Sequence, residues 1–353
     1  MEIGFKRAAQ LKDKPPVESL VFGKYFTDHM FTMDYTEGIG WHNPVICPYG
    51  PLSLDPSSMV FHYGQAVFEG LKCYRVADGR LLLFRPEMNI RRMNLSDERM
   101  CIPHIDEDFA LEALITLLRL ERDWAPAADG TSLYVRPFVI ATEAGIGVHP
   151  SNRYKFIIIL SPVGHYYPEG LSPVKIYIED EYVRAAKGGV GFTKAAANYA
   201  SSLKGQEKAI KLGYTQVLWL DAVERKYIEE VGTMNVFFII GDEVITPSLG
   251  GSILPGVTRD SVIQLIKSWG MKMTERRIAI DELFEAHKSG LLTEAFGSGT
   301  AAVVSPIGEF NRNGQIITVA DGNIGKTSRK LYDTLTGIQY GKIPDPFNWI
   351  REV

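Results

Sequence analysis

Gly188-Gly189-Val190-Gly191-Phe192-Thr193-Lys194-Ala195-Ala196-Ala197 is the stretch from which the chain is best read. Three glycines allow the backbone to approach another group closely. They lead to one lysine among small and apolar neighbours. A lysine so placed can lose solvation and lower its pKa, as a Schiff-base nucleophile requires. The plainer alternative is a lysine snorkelling at a helix start. Downstream, residues 195–212 read as an Ala-rich helix stopped by Gly213. Upstream, Val174–Glu179 alternates as a strand, and the Gly/Pro-rich segment 164–173 separates it from the β-rich runs Ser132–Thr142 and Tyr154–Val163.

Elsewhere in the chain, Asp78-Gly79 between Leu71–Val76 and Leu81–Phe84 signals a hairpin. A helix follows Pro86, and residues 107–122 carry apolar residues at helical spacing. Gln216–Leu220 and Asn235–Ile240 read as buried strands, and Thr258–Trp269 as a helix. Asp281 is expected to cap a helix ending at Gly290, and a last helix runs from about Thr327 to Tyr340. Residues 1–60 read as loop-rich. Strands and helices alternate irregularly, which points to α+β or mixed sheets rather than a doubly wound fold. The expected layout is a smaller N-terminal domain over 1–163, a linker over 164–173 and a larger C-terminal domain over 174–353.

The chain has 353 residues with 38 basic and 42 acidic side chains, a net charge of −4. That balance gives no footprint for nucleic acid or for an anionic membrane surface. No apolar run approaches the ~20 residues of a membrane span, and the first residues lack an apolar signal core. Three cysteines without a C-x-x-C spacing, and seven scattered histidines, argue against a disulfide framework or a metal site and fit a reducing cytoplasm.

Several other segments carry chemistry-bearing residues. Glu229-Glu230 precedes a strand; a carboxylate buried there needs a cationic partner or it neutralises. Leu254-Pro255-Gly256-Val257-Thr258 is a turn feeding a helix, whose free N–H groups suit an anion. Phe296-Gly297-Ser298-Gly299-Thr300-Ala301 is a second small-residue turn that could do the same. Arg92 lies on the helix after Pro86, and Arg136 shares a strand face with Tyr134. Gly325-Lys326-Thr327 lacks the earlier glycine of a P-loop, since Ala320 stands there.

Taken in order, these segments resemble the branched-chain aminotransferases, pyridoxal-phosphate enzymes of fold type IV. The resemblance runs over nearly the whole chain: Leu20–Lys24, Phe26–Met30, His62-Tyr63, Phe68-Glu69-Gly70, Leu83–Pro86, Leu133–Pro137, Lys194 with Asn198-Tyr199, Glu230–Asn235, Leu254–Val257, Phe296–Ala301 and Ile338–Gly341. It implies a two-domain α+β fold and a homodimer. The reaction implied is a ping-pong exchange of the amino group of leucine, isoleucine or valine with 2-oxoglutarate, yielding glutamate. Lys194 would bind the cofactor and move the proton between Cα and C4′. Glu230 would pair with the ring nitrogen and Tyr199 with the phenolic oxygen. Arg92, the amides of Val257 and Thr258, and Thr300 would hold the phosphate. Thr233 and Ala301 would lie near the substrate α-carboxylate. Phe22, Tyr63, Phe68 and Tyr134 would wall the side-chain pocket, with Arg136 for a distal carboxylate. Ile146 and Val148 match positions that the family supplies from the partner subunit, as does Tyr63 in some members. Ala302 and Ser305 stand where mammalian members carry a C-x-x-C pair, so that thiol switch should be absent and the chain looks prokaryotic. Relatives sharing the cofactor, a D-amino-acid transaminase or 4-amino-4-deoxychorismate lyase, should lack the Tyr134-Val135-Arg136 strand. A cofactor-free scaffold would leave Lys194 and Glu230 idle.

Overall fold

The computed structural model describes residues 1–164 and 171–353. The expected linker at 164–173 therefore lies mostly outside the described residues. The chain divides into two units. One holds residues 1–164, Thr193–Ala196 and Gly337–Val353; the other holds residues 171–192 and Ala197–Thr336. The chain thus returns to the first unit twice, once for the four residues around Lys194.

The first unit is built on a nine-stranded sheet, antiparallel except where Gly4–Phe5 runs parallel to Gly40–Pro48. Its long central pair is Ser132–Ala141 with Arg153–Val163. The Asp78-Gly79 hairpin forms as read, joining Leu71–Arg75 to Leu81–Phe84. Helix Glu107–Leu120 starts at Asp106, whose carboxylate accepts the Phe109 N–H at 2.8 Å. Its apolar stripe, with Phe109, Leu114, Leu117 and Leu118, joins Phe31, Leu83, Val135 and Phe156 in one core. Helix Pro86–Arg99 has proline in its first turn and buries Ile90 and Met93 in the same core.

Residues 1–60 are loop-rich over most of 1–28 and 49–58, as expected, but the reading missed two strands between them. His29–Thr36 and Gly40–Pro48 are long paired strands. Polar residues that obscured the first of them are buried and satisfied at a distance. His29 Nδ1 lies 2.5 Å from Glu121 Oε1, and the Asp28 N–H donates to the same carboxylate.

In the second unit, six strands pair in a closed ring: Ile228–Val231, Gln216–Leu220, Val174–Glu179, Val303–Arg312, Leu292–Gly299 and Met234–Ile240, the last pairing back to the first. Closure leaves no open edge among these strands. Parallel and antiparallel pairs mix, in keeping with the irregular order of elements along the chain. Ile176, Leu218, Val231, Val236, Phe238 and Phe310 belong to the core of this unit. Helices Ala196–Lys211, Val257–Ser268 and Lys326–Gln339 lie within a residue or two of the spans read from the sequence. Asp281 does not cap its helix: Ile280–Lys288 begins after Ala279, and Asp281 sits in the first turn, where its charge still favours the helix N-terminus.

Candidate active site

In the first unit the segment carrying Lys194 is stitched to the short strand Ala66–Phe68. The Phe68 N–H donates to the Lys194 carbonyl at 3.0 Å, Val67 bridges Ala195, and the Lys194 N–H donates to Ser96 Oγ at 3.0 Å. The lysine side chain is half-buried, with Nζ 5.1 Å from the centre of the Phe68 ring. Arg136 reaches the same ring, its guanidinium 4.7 Å from the centroid. It also donates to Tyr134 Oη at 3.1 Å, and Tyr134 meets Phe22 edge-on with centroids 4.8 Å apart. Arg136 Nε is buried and has no hydrogen-bond partner among the described residues. A Cβ at Gly70 would overlap Tyr134 Oη, so any larger residue there must displace that ring. Phe22, Phe68, Tyr134, Arg136 and Lys194 therefore form one contiguous group, with Lys194 over Phe68, Arg136 over both Phe68 and Tyr134, and Phe22 against Tyr134.

Glu69, between Phe68 and Gly70, is fully buried. It accepts from Arg92 Nε at 2.7 Å and Nη2 at 2.9 Å, from Asn89 at 2.8 Å and from the Gly70 N–H at 3.0 Å. Burial alone would raise its pKa. Arg92, with help from Lys194 and Asn89, outweighs that and holds the carboxyl below its usual range. The paired edge of the Arg92 guanidinium is thus fixed in direction. Asp97, three residues past Asn94 on the same helix, has no partner for either oxygen among the described residues, and burial pushes it well above the carboxylate range.

Tyr63, Ile146 and Val148 are placed differently. Ile146 is 71% and Val148 84% exposed, and Tyr63 is exposed with its hydroxyl donating to the Ile146 carbonyl. No described contact joins them to the Phe68 group.

In the second unit Glu230 is buried at the hairpin that closes the ring, paired across it with Asn235. Its Oε1 accepts the Leu254 N–H at 2.9 Å, and Oε2 lies 2.9 Å from Arg184 Nε. Asn235 also holds the Leu254 carbonyl at 2.9 Å and pairs across the sheet with Ser298. One end of the sheet therefore gathers Glu230, the Leu254–Gly256 turn and the Ser298–Ala301 turn. Helix Val257–Ser268 begins there with Gly256 at its N-cap and no side chain capping it, and Val257 and Thr258 are buried. Ser298 Oγ is buried without a partner among the described residues. Thr233 stands exposed at the hairpin tip; Thr300 and Ala301 lie half-buried in their turn. Tyr199 lies in the first turn of helix Ala196–Lys211. Glu229, the other half of the carboxylate pair, is buried too. Burial raises its pKa against a hydrogen bond from Ser252 and the charge of Arg184. Gly191 makes the close approach expected of the glycine run: a Cβ there would overlap the Ser252 carbonyl and Ala185.

Glu69, Asn89, Arg184 and Asn235 were not singled out for roles by the sequence. Arg184 carries no local signal at all, since its partner is 46 positions away. Among the described residues there is no group of His, Cys, Asp and Glu suited to a metal. Nor, among the described residues, is any helix long and apolar enough to cross a membrane.

Comparison with known proteins bears on these two groups of residues. The family model for class IV amino-transferases matches residues 66–310. Branched-chain-amino-acid transaminase 1 of Bacillus subtilis is 62% identical over 349 residues, covering 99% of this chain and 98% of that protein. The crystal structure of the Escherichia coli branched-chain amino acid aminotransferase is 26% identical with a TM-score of 0.75, covering 92% of this chain and 98% of that one. The Thermobaculum terrenum branched-chain amino acid aminotransferase, solved in its PLP form, is 25% identical with a TM-score of 0.75, covering 91% and 97% respectively.

Proposed function

Because the chain belongs to the class IV aminotransferase family and acts as a pyridoxal-phosphate-dependent branched-chain-amino-acid transaminase, we propose a division of labour among its own residues. The residues present suit the cofactor. A buried, uncapped helix N-terminus beside an unpartnered Ser298 hydroxyl matches a phosphate group, and buried Glu230 matches a protonated ring nitrogen. When bound, pyridoxal phosphate supplies an aldehyde carbon and an electron-withdrawing ring.

Arg92, the Val257 and Thr258 amides and Thr300 hold the phosphate. Glu69 aims the Arg92 fork. Tyr199 donates to the phenolic oxygen and Glu230 accepts from the ring nitrogen. Lys194 attaches the cofactor and, once released by substrate, carries the proton between the substrate Cα and the cofactor C4′. Thr233 and Ala301 receive the α-carboxylate. Phe22, Phe68 and Tyr134 take the branched side chain.

One observation carries the substrate reading: Lys194 and Arg136 meet the same Phe68 ring at 5.1 and 4.7 Å. A substrate whose amine is worked at Lys194 lays its side chain along aromatic carbon towards a guanidinium. Leucine is held by the wall, each buried CH₂ contributing about 0.8 kcal/mol. Glutamate and 2-oxoglutarate reach Arg136 with the distal carboxylate.

The exposed Ile146 and Val148, with Tyr63, support a homodimer in which these side chains complete the partner's pocket. Free Cys47, Cys73 and Cys101 suit the cytoplasm.

The test is the visible spectrum of the purified protein. Leucine alone should bleach the cofactor band, and 2-oxoglutarate should restore it. Lys194→Ala should abolish the cycle. A band responding to D-alanine and not to L-leucine would overturn the substrate assignment.

A further inference from the structure

Arg184 is a buried guanidinium for which the transaminase cycle described above has no use. Its Nε lies 2.9 Å from Glu230 Oε2, and its Nη2 donates to the backbone carbonyls of Gly191, at 3.1 Å, and Ser252. We propose that Arg184 is a positioning residue acting through Glu230: it keeps that carboxyl ionised, so that the proton shared with the cofactor's ring nitrogen stays on nitrogen.

Burial is the first consideration, since Glu230 is only 3% exposed. A carboxylate so enclosed tends to take up a proton unless a cation and hydrogen-bond donors stabilise its charge. The Leu254 N–H, at 2.9 Å, and the Asn235 amide, at 3.4 Å, supply dipoles. Arg184 supplies the full charge, and a guanidinium does not give up its proton in a protein.

A second carboxyl competes for that charge. Glu229 lies next in sequence and feels Arg184, yet it remains above its usual pKa, with burial the largest cause and Glu230 and Asp221 adding to it. Ser252 links the two sides, donating from Oγ to Glu229 while its carbonyl takes Arg184. Glu229 is thus the carboxyl that burial holds above its usual range, and it is Glu230 that Arg184 touches, with Nε 2.9 Å from Oε2. With the carboxylate held as an anion, transfer of the ring proton to it is disfavoured. With Arg184 replaced by a neutral side chain, that proton moves to Glu230, and the ring loses the positive charge that makes it an electron sink.

The role of Arg184 rests on the reading of Glu230 as the ring-nitrogen partner, and the experiment separates the two. Pyridoxal phosphate labelled with 15N in the ring is bound to the parent, to R184Q and to R184K, and the nitrogen resonance is followed from pH 6 to 9. The parent should show protonated nitrogen throughout. R184Q keeps a donor for the Gly191 and Ser252 carbonyls but lacks the charge, and its nitrogen should titrate within the range. R184K should resemble the parent. In the leucine half-reaction, R184Q should lower kcat at least tenfold while KM stays within about threefold.

A parent whose ring nitrogen is unprotonated across the range would sink the Glu230 reading. A protonated parent with an equally protonated R184Q would overturn the role of Arg184 alone. R184K behaving like R184Q would overturn the claim that charge, rather than the fork's geometry, is responsible. Should R184Q not fold, R184M removes the charge together with the donors to the Gly191 and Ser252 carbonyls, and a ring nitrogen protonated throughout in R184M would equally overturn the role of Arg184.

Discussion

Arg136→Met should separate the two substrates that share one pocket. The wild-type guanidinium donates to Tyr134 Oη at 3.1 Å, lies over the Phe68 and Tyr134 rings at 4.7 and 5.3 Å, and keeps a buried Nε without a partner among the described residues. That leaves donors for a distal carboxylate. A hydrogen bond involving a charged group contributes about 1.5–3 kcal/mol, so its loss should lower kcat/KM for glutamate and 2-oxoglutarate roughly 10- to 150-fold. Leucine does not use those donors. Methionine keeps apolar volume beside Phe68, and up to one further buried CH₂, at about 0.8 kcal/mol, would raise leucine's kcat/KM at most about fourfold. The assay is stopped-flow measurement of each half-reaction from the cofactor spectrum, leucine in one direction and 2-oxoglutarate in the other. An equal loss in both half-reactions would contradict this assignment, because it would mean that Arg136 supports the aromatic wall rather than the distal carboxylate.

Asp97→Asn should stabilise the protein at alkaline pH. A carboxyl whose folded-state pKa lies above its unfolded value binds its proton more tightly when folded, so stability falls as pH rises through the unfolded value towards the folded one. Asparagine has no such proton to lose. The gain, on the order of 1 kcal/mol per pKa unit of upward shift, should be seen as a higher melting temperature at pH 8 that shrinks towards pH 5; a lower melting temperature at pH 8 would rule it out. Cys73 is fully buried and pushed up to about 12 by desolvation, whereas Cys101 is exposed. Mass spectrometry after brief alkylation at pH 8 should therefore find Cys101 modified and Cys73 unmodified until denaturant is added. Gly70→Ala should displace Tyr134 and with it Arg136, raising KM for both substrate classes while cofactor affinity changes less than threefold; equilibrium binding of pyridoxal phosphate to the apoprotein checks the second half.

What the sequence disclosed and what it hid divide along one physical line, the distance along the chain between partners. Lys194 could be found because its glycine run, its small neighbours and the helix behind it are contiguous. The hairpin at Asp78-Gly79 and the helix capped by Asp106 announce themselves in a few residues. His29–Thr36 was hidden because the burial of His29 is made tolerable by Glu121, 92 positions on. Closure of the six-strand ring depends on how Ile228–Val231 pairs both with Gln216–Leu220 and with Met234–Ile240, and no local pattern announces that closure.

The candidate site follows the same line. The residues assigned to touch cofactor or substrate stood out as motifs or through resemblance, but those that fix them did not. Glu69 is read as part of an aromatic–glycine turn until Arg92, 23 positions later, lays two nitrogens on it. Arg184 is an unremarked basic residue until the fold brings it to Glu230. In both cases the hidden residue is an opposite charge placed against a buried one. The reason is energetic: a buried charge without a partner is costly, so each functional charge in this interior requires a second residue whose position only the fold determines. Arg136 Nε, buried and without a partner among the described residues, departs from that rule, and the carboxylate proposed to answer it belongs to the substrate.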